Sequence, residues 1–236
     1  MRYKNKKHSG AGRRRRQIDM DPVNLVVKEP SSVAQRLKEL GLNIETLQEA
    51  LEAGLAERNA CTTNDPPGFG GLVAWGRTVR RLRELLIPRD WRRTNSKRLA
   101  AVVSPEGTVV IAVSTGDERT GLDGASPQTR YEKGPAWVAA VEENNEQLDL
   151  PGMTPEDDYE DDQNDERLNR VTWVLMFYVD RNETRCELSM PRDMSPDGKL
   201  DAWVERILLP AISREPEPTV DESVPSAPID VPVRRR

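Results

Sequence analysis

Histidine is almost absent from this chain of 236 residues, and its one histidine, His8, lies in a basic stretch at the start. A Ser-His-Asp or Cys-His nucleophilic site inside a folded domain therefore cannot be built. The HExxH motif is missing, and a zinc site made of cysteine and histidine lacks its ligands. Any enzymatic site would have to use carboxylates, lysine or hydroxyl groups, and we predict neither a bound metal nor a cofactor.

Cysteine is also scarce, because Cys61 and Cys186 are the two in the chain and they form no CxxC pair. This usage fits a reducing compartment, with one long-range disulfide left open as an alternative. No apolar run approaches the length of a membrane span, and no apolar segment follows the basic start as it would in a signal peptide. We therefore expect a soluble cytoplasmic protein that does not bind membranes.

Apolar residues make up 36% of the chain and charged residues 32%, while proline and glycine number 18 and 15. This composition predicts a modest core accompanied by segments that do not fold. We expect a basic disordered arm over residues 1–29, a single folded domain over 30–212 and a disordered Pro-rich tail over 213–236.

Charges are segregated into blocks. Residues 1–16 contain eight Lys and Arg and no acid, residues 75–98 contain nine, and residues 142–166 contain twelve acids and no base. Blocks of one sign usually stay solvated, so we predict a mobile acidic loop at about 142–166. An alternative is that this loop masks the basic segment 75–98 and competes there with an anionic partner.

Three helices are predicted in the first half of the domain. "PSSVAQRLKELG" forms the first, and Asn43 can cap the second, which continues to about Ala60. Apolar residues recur at helical spacing from Leu72 to Leu86, and Pro88 ends this third helix. The preceding "PPGFGG" could hold an anion at the helix start, or it is simply a hinge, since it lacks the Gly-Lys-Ser/Thr of a P-loop.

Two β-hairpins follow. The first runs through "RLAAVVSPEGTVVIAVSTGD" with its turn at "PEG", and the second through "VTWVLMFYVDRNETRCELSMP" with its turn at "DRNET". A last helix is predicted from Leu200 to Leu209. Grouped strands with few crossovers indicate an α+β domain, with a roughly four-stranded antiparallel sheet packed against helices.

The loop "STGD" after the first hairpin raises a possible metal site. Asp117 ends a predicted strand, and Asp180 and Glu187 could join it, since carboxylates at neighbouring strand ends can hold Mg²⁺ for phosphodiester hydrolysis. These three are the candidate catalytic residues of a metal-dependent nuclease. The competing interpretation, which we favour, is that Asp117 only accepts backbone hydrogen bonds in a turn.

The basic segment 75–98 is a candidate nucleic-acid surface. Arginine can contact phosphates while a neighbouring tryptophan stacks on bases. The candidate residues are Arg77, Arg80, Arg81, Arg89, Trp91, Arg92, Arg93, Lys97 and Arg98.

These observations favour a domain that binds another, unidentified protein without catalysing a reaction. The first alternative is an accessory protein that binds nucleic acid independently of sequence through residues 1–16 and 75–98. The second alternative is the carboxylate-dependent nuclease.

Overall fold

The computed structural model describes residues 25–149 and 170–213, without the side chains of Lys97 and Asp149. These ranges contain four helices: α1 Pro30–Glu39, α2 Ile44–Asn59, α3 Phe69–Leu86 and α4 Pro135–Asp149. They also contain seven strands: β1 Leu25–Val27, β2 Arg92–Thr94, β3 Ala101–Val103, β4 Val109–Thr115, β5 Val171–Val179, β6 Glu183–Met194 and β7 Leu200–Ser213. None of these helices is both long enough and apolar enough to cross a membrane.

Helices α1, α2 and α3 confirm the three helices predicted in the first half of the domain. The Asn43 side chain caps α2 as expected, because its Oδ1 accepts a hydrogen bond from the Thr46 amide at 2.9 Å. This bond satisfies one of the amides that a helix start leaves without an internal partner. α3 begins three residues earlier than its apolar stripe, directly after Gly68, whose φ of 83° is in the left-handed region.

All seven strands belong to one mixed sheet with the order β1-β7-β6-β5-β4-β3-β2. The α+β class is confirmed, but the roughly four-stranded antiparallel sheet is wrong. β4 and β5 pair in parallel, with Val109 opposite Val171 and Thr115 opposite Phe177. A parallel pair requires a crossover connection, and α4 lies in the connection between these two strands. No helix was expected between the two predicted hairpins, and without α4 they resemble one antiparallel sheet.

The helix predicted from Leu200 to Leu209 is also wrong, since these residues form β7 between β1 and β6. Leu200 and Trp203 are three residues apart and resemble one face of a helix. They nevertheless lie on one face of the sheet, in the same apolar cluster as Val174. Register shifts between β6 and β7 at Met190–Met194 make this possible, because each extra residue in a bulge resets the alternation of a strand.

The sheet is covered on both faces. Helices α1, α2 and α3 pack on one face, where the larger core includes Trp173, Leu188 and Ile207. α4 packs on the other face against β5 and β6, with a smaller cluster around Val141 and Met176. Coverage of both faces explains why β5 is an almost continuous apolar strand.

The acidic loop predicted at about 142–166 falls partly within the described residues. Residues 142–149 belong to α4, and Asn144 anchors them with three hydrogen bonds to the backbones of Thr172 and Pro191. The remainder of that loop, and with it the proposed mask over the basic segment, lies outside the described residues. So do the basic block 1–16 and the tail from residue 214.

Candidate functional site

A cleft of about 440 Å³ opens at the carboxyl end of β4. Its walls come from four parts of the chain: residues 68–75 at the start of α3, residues 98–100, the end of β4 at 113–115, and residues 131–137 at the start of α4. In open sheets with parallel strands, ligands commonly bind outside the carboxyl ends of those strands. The volume also lies within the range of small-molecule sites.

Aromatic side chains form much of the wall. Trp75 is fixed by its indole nitrogen, which donates a 3.0 Å hydrogen bond to the carbonyl oxygen of Val113. Trp137 lines the cleft from the first turn of α4. Tyr131 and Leu72 also line it and remain 57% and 60% exposed, so their apolar surface is accessible to a ligand. Such rings offer flat contact area together with polar edges.

Lys133 is the half-buried cation of this cleft. Its Nζ lies 5.7 Å from the centre of the Trp137 ring, and no carboxylate within the described residues forms an ion pair with it. Burial lowers the pKa of Lys133 from its ordinary 10.5 to about 8, because removal of water disfavours the charged amine. By contrast, Lys28 and Lys199 form ion pairs with Asp123 and Asp197.

Arg98 and Glu132 are the other charged residues that line the cleft. Arg98 has a φ of 70°, a left-handed conformation that is uncommon for a residue other than glycine. Residues held in such conformations are enriched at binding sites. The two cations and one carboxylate give the cleft a positive balance.

A second cavity of about 250 Å³ adjoins the cleft. The two volumes share Gly68, Gly71, Thr115 and Tyr131 as lining residues. Arg58 and Arg130 are the charged residues of the second cavity, and no carboxylate among the described residues lines it. The combined site is therefore lined by four cationic side chains and one acidic side chain.

Hydrogen bonds to the sheet and to the turn between β6 and β7 position the segment that contributes Lys133. The Arg130 amide donates to Thr115 O at 2.9 Å, and the Lys133 amide donates to Gly198 O at 2.7 Å. The Trp203 indole adds a 2.8 Å bond to the Pro127 carbonyl. Because strands β4 and β7 fix this segment at several points, Lys133 is presented from a rigid support.

Residues 121–125, which precede this segment, are held by a buried ion pair. Glu187 and Arg206 are completely buried, and Arg206 Nη2 lies 2.5 Å from Glu187 Oε2. Arg206 also donates to the carbonyl oxygens of Leu122 and Ala125, while Glu187 accepts a bond from the Gly121 amide at 2.8 Å. Glu187, a candidate metal ligand in the sequence, therefore has its carboxylate occupied by protein donors.

The other two candidate catalytic residues also have local partners. Asp117 accepts bonds from the amide and side chain of Arg119, at 3.1 and 2.9 Å, as a turn residue does. Asp180 accepts a 2.7 Å bond from the Arg181 amide. No group of three or more potential metal-ligating His, Cys, Asp or Glu residues occurs in residues 25–149 and 170–213.

The candidate nucleic-acid residues on α3 are partly neutralised. Arg80 pairs with Glu84 at 2.7 Å, and Arg81 pairs with both Glu84 and Glu49. Arg77 lies 3.9 Å from a carboxylate oxygen of Glu57. These pairs are exposed, so they reduce the local charge more than they stabilise the fold.

The remaining candidates differ in their exposure. Trp91 is 4% exposed and belongs to the larger core, so it is not placed to stack on a base. Arg89, Arg92 and Arg93 are exposed around the edge strand β2. Lys97 lies in the short 3₁₀ helix Ser96–Arg98, which leads to the cleft.

Lys133 and Trp137 are not among the candidate site residues that the sequence suggests. Their local signal is "RYEKGPAW", where two aromatic rings and two cations surround a Gly-Pro helix start. Both free cysteines lie outside the cleft, and burial raises the pKa of Cys186 to about 12.

Comparisons of this chain with models of protein families, with curated proteins and with solved structures find no match.

Proposed function

We propose that this protein is a binding domain whose cleft takes a small anionic ligand that bears a flat ring. The observation that supports this is the charge balance of the two adjoining cavities: among the described residues, Arg98, Arg130 and Lys133 line them against Glu132. Burying Lys133 without a carboxylate partner is unfavourable for the free protein. A bound anion would supply the missing counter-charge.

The aromatic wall of the cleft is the reason for proposing a ligand with a flat ring. Trp75 and Trp137 line the same cleft as Lys133, and Tyr131 lies where the two cavities meet. Planar ligands gain from offset stacking and edge contacts with such side chains. This proposal differs from the function that the sequence favours, because it names a small ligand in place of a partner protein.

The proposal is tested with three matched probes. Benzoate has both the charge and the ring, benzamide has the ring without the charge, and cyclohexanecarboxylate has the charge without the flat ring. Binding is measured by ligand-observed NMR on the full chain. Fragments of this size bind with a Kd on the order of millimolar, and benzoate should bind more tightly than the other two.

Variants localise the binding. Lys133→Met keeps the length of the side chain and removes its charge, so we expect benzoate to bind roughly tenfold more weakly, as for the loss of a charge-assisted contact. Lys38→Met is the matched control, since Lys38 is exposed on α1 and does not line the cleft. Equal weakening by the two variants, or equal binding of the three probes, contradicts the proposal.

Nucleic-acid binding is the second candidate function, now restricted to the edge of the sheet. Burial is the larger cause of the lowered pKa of Arg83, and the charge of Arg93 lies close enough to lower it further. Arg89 and Arg92 extend this exposed surface. If it binds phosphates, affinity for a random oligonucleotide should fall steeply with salt and weaken further in an Arg92→Glu/Arg93→Glu variant. Binding that is insensitive to both changes contradicts this candidate.

A further inference from the structure

We infer that Lys133 is a nucleophilic amine that forms a reversible imine with an anionic aromatic aldehyde or ketone bound in the cleft. This inference deepens the proposed function and rests on it. Lys133 lies where a ring-bearing ligand would bind, beside Trp137 and in the same cavity as Arg98. The proposed function requires only a positive charge at this position, whereas imine formation requires a free amine.

The surroundings of Lys133 favour the neutral amine. Its lowered pKa, about 8, has burial as its cause, and no carboxylate in residues 25–149 and 170–213 offsets that effect. At neutral pH an amine with this pKa is unprotonated a few hundredfold more often than an ordinary lysine. The neutral amine is the nucleophile in imine-forming enzymes, where lysine is activated in the same way by removal from water.

Within the part of the chain that the structure describes, the other titratable groups around Lys133 form no ion pair with it. Glu132 and Tyr131 line the cleft on the same segment, and Arg98 lines it from the 3₁₀ turn before β3. The turn that accepts the Lys133 amide bond contains Asp197 and Lys199, and these two form a 2.9 Å ion pair with each other. The amine is therefore left available for a ligand.

The reaction needs no oxidant or reductant. The unprotonated Nζ attacks the carbonyl carbon, a carbon–nitrogen bond forms and the carbonyl oxygen is protonated to give a carbinolamine. The carbinolamine then loses its hydroxyl group as water, together with the remaining nitrogen-bound hydrogen, and leaves the imine.

The experiment uses 4-formylbenzoate, an anionic aromatic aldehyde, with cyanoborohydride to reduce the imine to a stable secondary amine. Peptide mass mapping of the full chain then compares the rate of modification at Lys133 and Lys38. We expect Lys133 to react at least tenfold faster than Lys38 at pH 7. The rate at Lys133 should saturate as the probe concentration increases. It should also increase with pH, with the midpoint of the increase near pH 8. Lys133→Arg should remove this reaction while keeping the positive charge.

Binding of terephthalate, which carries a second carboxylate in place of the aldehyde, is measured in parallel by the same NMR method. If terephthalate binds and Lys133 reacts no faster than Lys38, the imine inference is overturned and the proposed function stands. If terephthalate and benzoate both fail to bind and Lys133 shows no preference, both are overturned.

Discussion

Arg206 and Glu187 form a completely buried ion pair that joins β7 to β6, with nitrogen and oxygen 2.5 Å apart. Both side chains also bind the segment that leads to the cleft, through Gly121 on one side and Ala125 on the other. A buried pair is costly to break from one side, because the remaining charge loses its partner in a medium that solvates it poorly.

We therefore predict that Glu187→Ala lowers the free energy of unfolding by about 3–5 kcal/mol. Asp123→Ala is the control, since it breaks an exposed ion pair with Lys28 and should change stability little. Urea denaturation of both variants is the measurement. A double variant, Glu187→Leu with Arg206→Met, should be less destabilised than the sum of the two single changes, and strict additivity would contradict the coupling.

Close contact between α2 and α3 at Gly54 gives a second prediction. A Cβ at this position would clash with the Thr78 hydroxyl and lie 2.5 Å from the Ala74 carbonyl oxygen. Gly54→Ala should therefore destabilise the fold by about 1–3 kcal/mol through overpacking. Gly76→Ala in α3 should stabilise it by about 0.5–1 kcal/mol, because a Cβ there meets nothing within 4 Å and alanine favours helix. The midpoint temperature of thermal unfolding should therefore fall for Gly54→Ala and rise for Gly76→Ala.

Asn144 attaches α4 to the sheet and gives a third prediction. Its amide donates to Thr172 O and Pro191 O, both at 3.0 Å, and accepts from the Thr172 amide at 2.7 Å. Asn144→Leu leaves these buried backbone groups unpaired and should lower the free energy of unfolding by about 2–4 kcal/mol. Asn145→Ala removes a single bond to Arg192 O and should cost no more than about 1 kcal/mol. If chemical denaturation shows that the two variants lose a similar amount of stability, Asn144 does not have the anchoring role described.

The pKa of Lys133 leads to a prediction about pH. The unfolded chain binds more protons at this residue between about pH 8 and 10.5, so this residue makes stability rise with pH across that window. Below about pH 8 the buried amine is charged, and its burial lowers the free energy of unfolding by the full amount. Above pH 10.5 the amine is neutral in both the folded and the unfolded chain. Lys133→Met should thus be more stable than the native protein at pH 7.

The stability difference between the native protein and Lys133→Met should shrink between about pH 8 and 10.5. Guanidinium titrations at several pH values measure this difference. Lys38→Met should show no such window, and a constant difference for Lys133→Met would contradict the account of its burial.

Local signals in the sequence were sufficient for several elements. Asn43 at a cap position predicts the start of α2, and the turn around Gly107 predicts the β3–β4 hairpin. In each case the residues that determine the structure are close in sequence, so periodicity and turn chemistry can be read directly.

Long-range contacts determine the elements that were missed. The acidic residues of α4 suggest a solvated loop, while its structure depends on Asn144 and Val141 meeting strands far along the chain. Because of the bulges between β6 and β7, Leu200 and Trp203 lie on the same face of the sheet although they are three residues apart, a spacing that is typical of a helix. The cleft is less predictable still, because its walls come from four separate parts of the chain, residues 68–75, 98–100, 113–115 and 131–137.

Four of the five tryptophans allow the most direct test of ligand binding in the cleft. In ¹⁵N-labelled protein, addition of benzoate should shift the indole N–H signals of Trp75 and Trp137 with saturation, since both line the cleft. The signals of Trp173 and Trp203, which are buried in the two cores, should stay in place. Absence of any shift at Trp75 and Trp137, or equal shifts at all four residues, would contradict the central claim that this cleft binds an anionic ring.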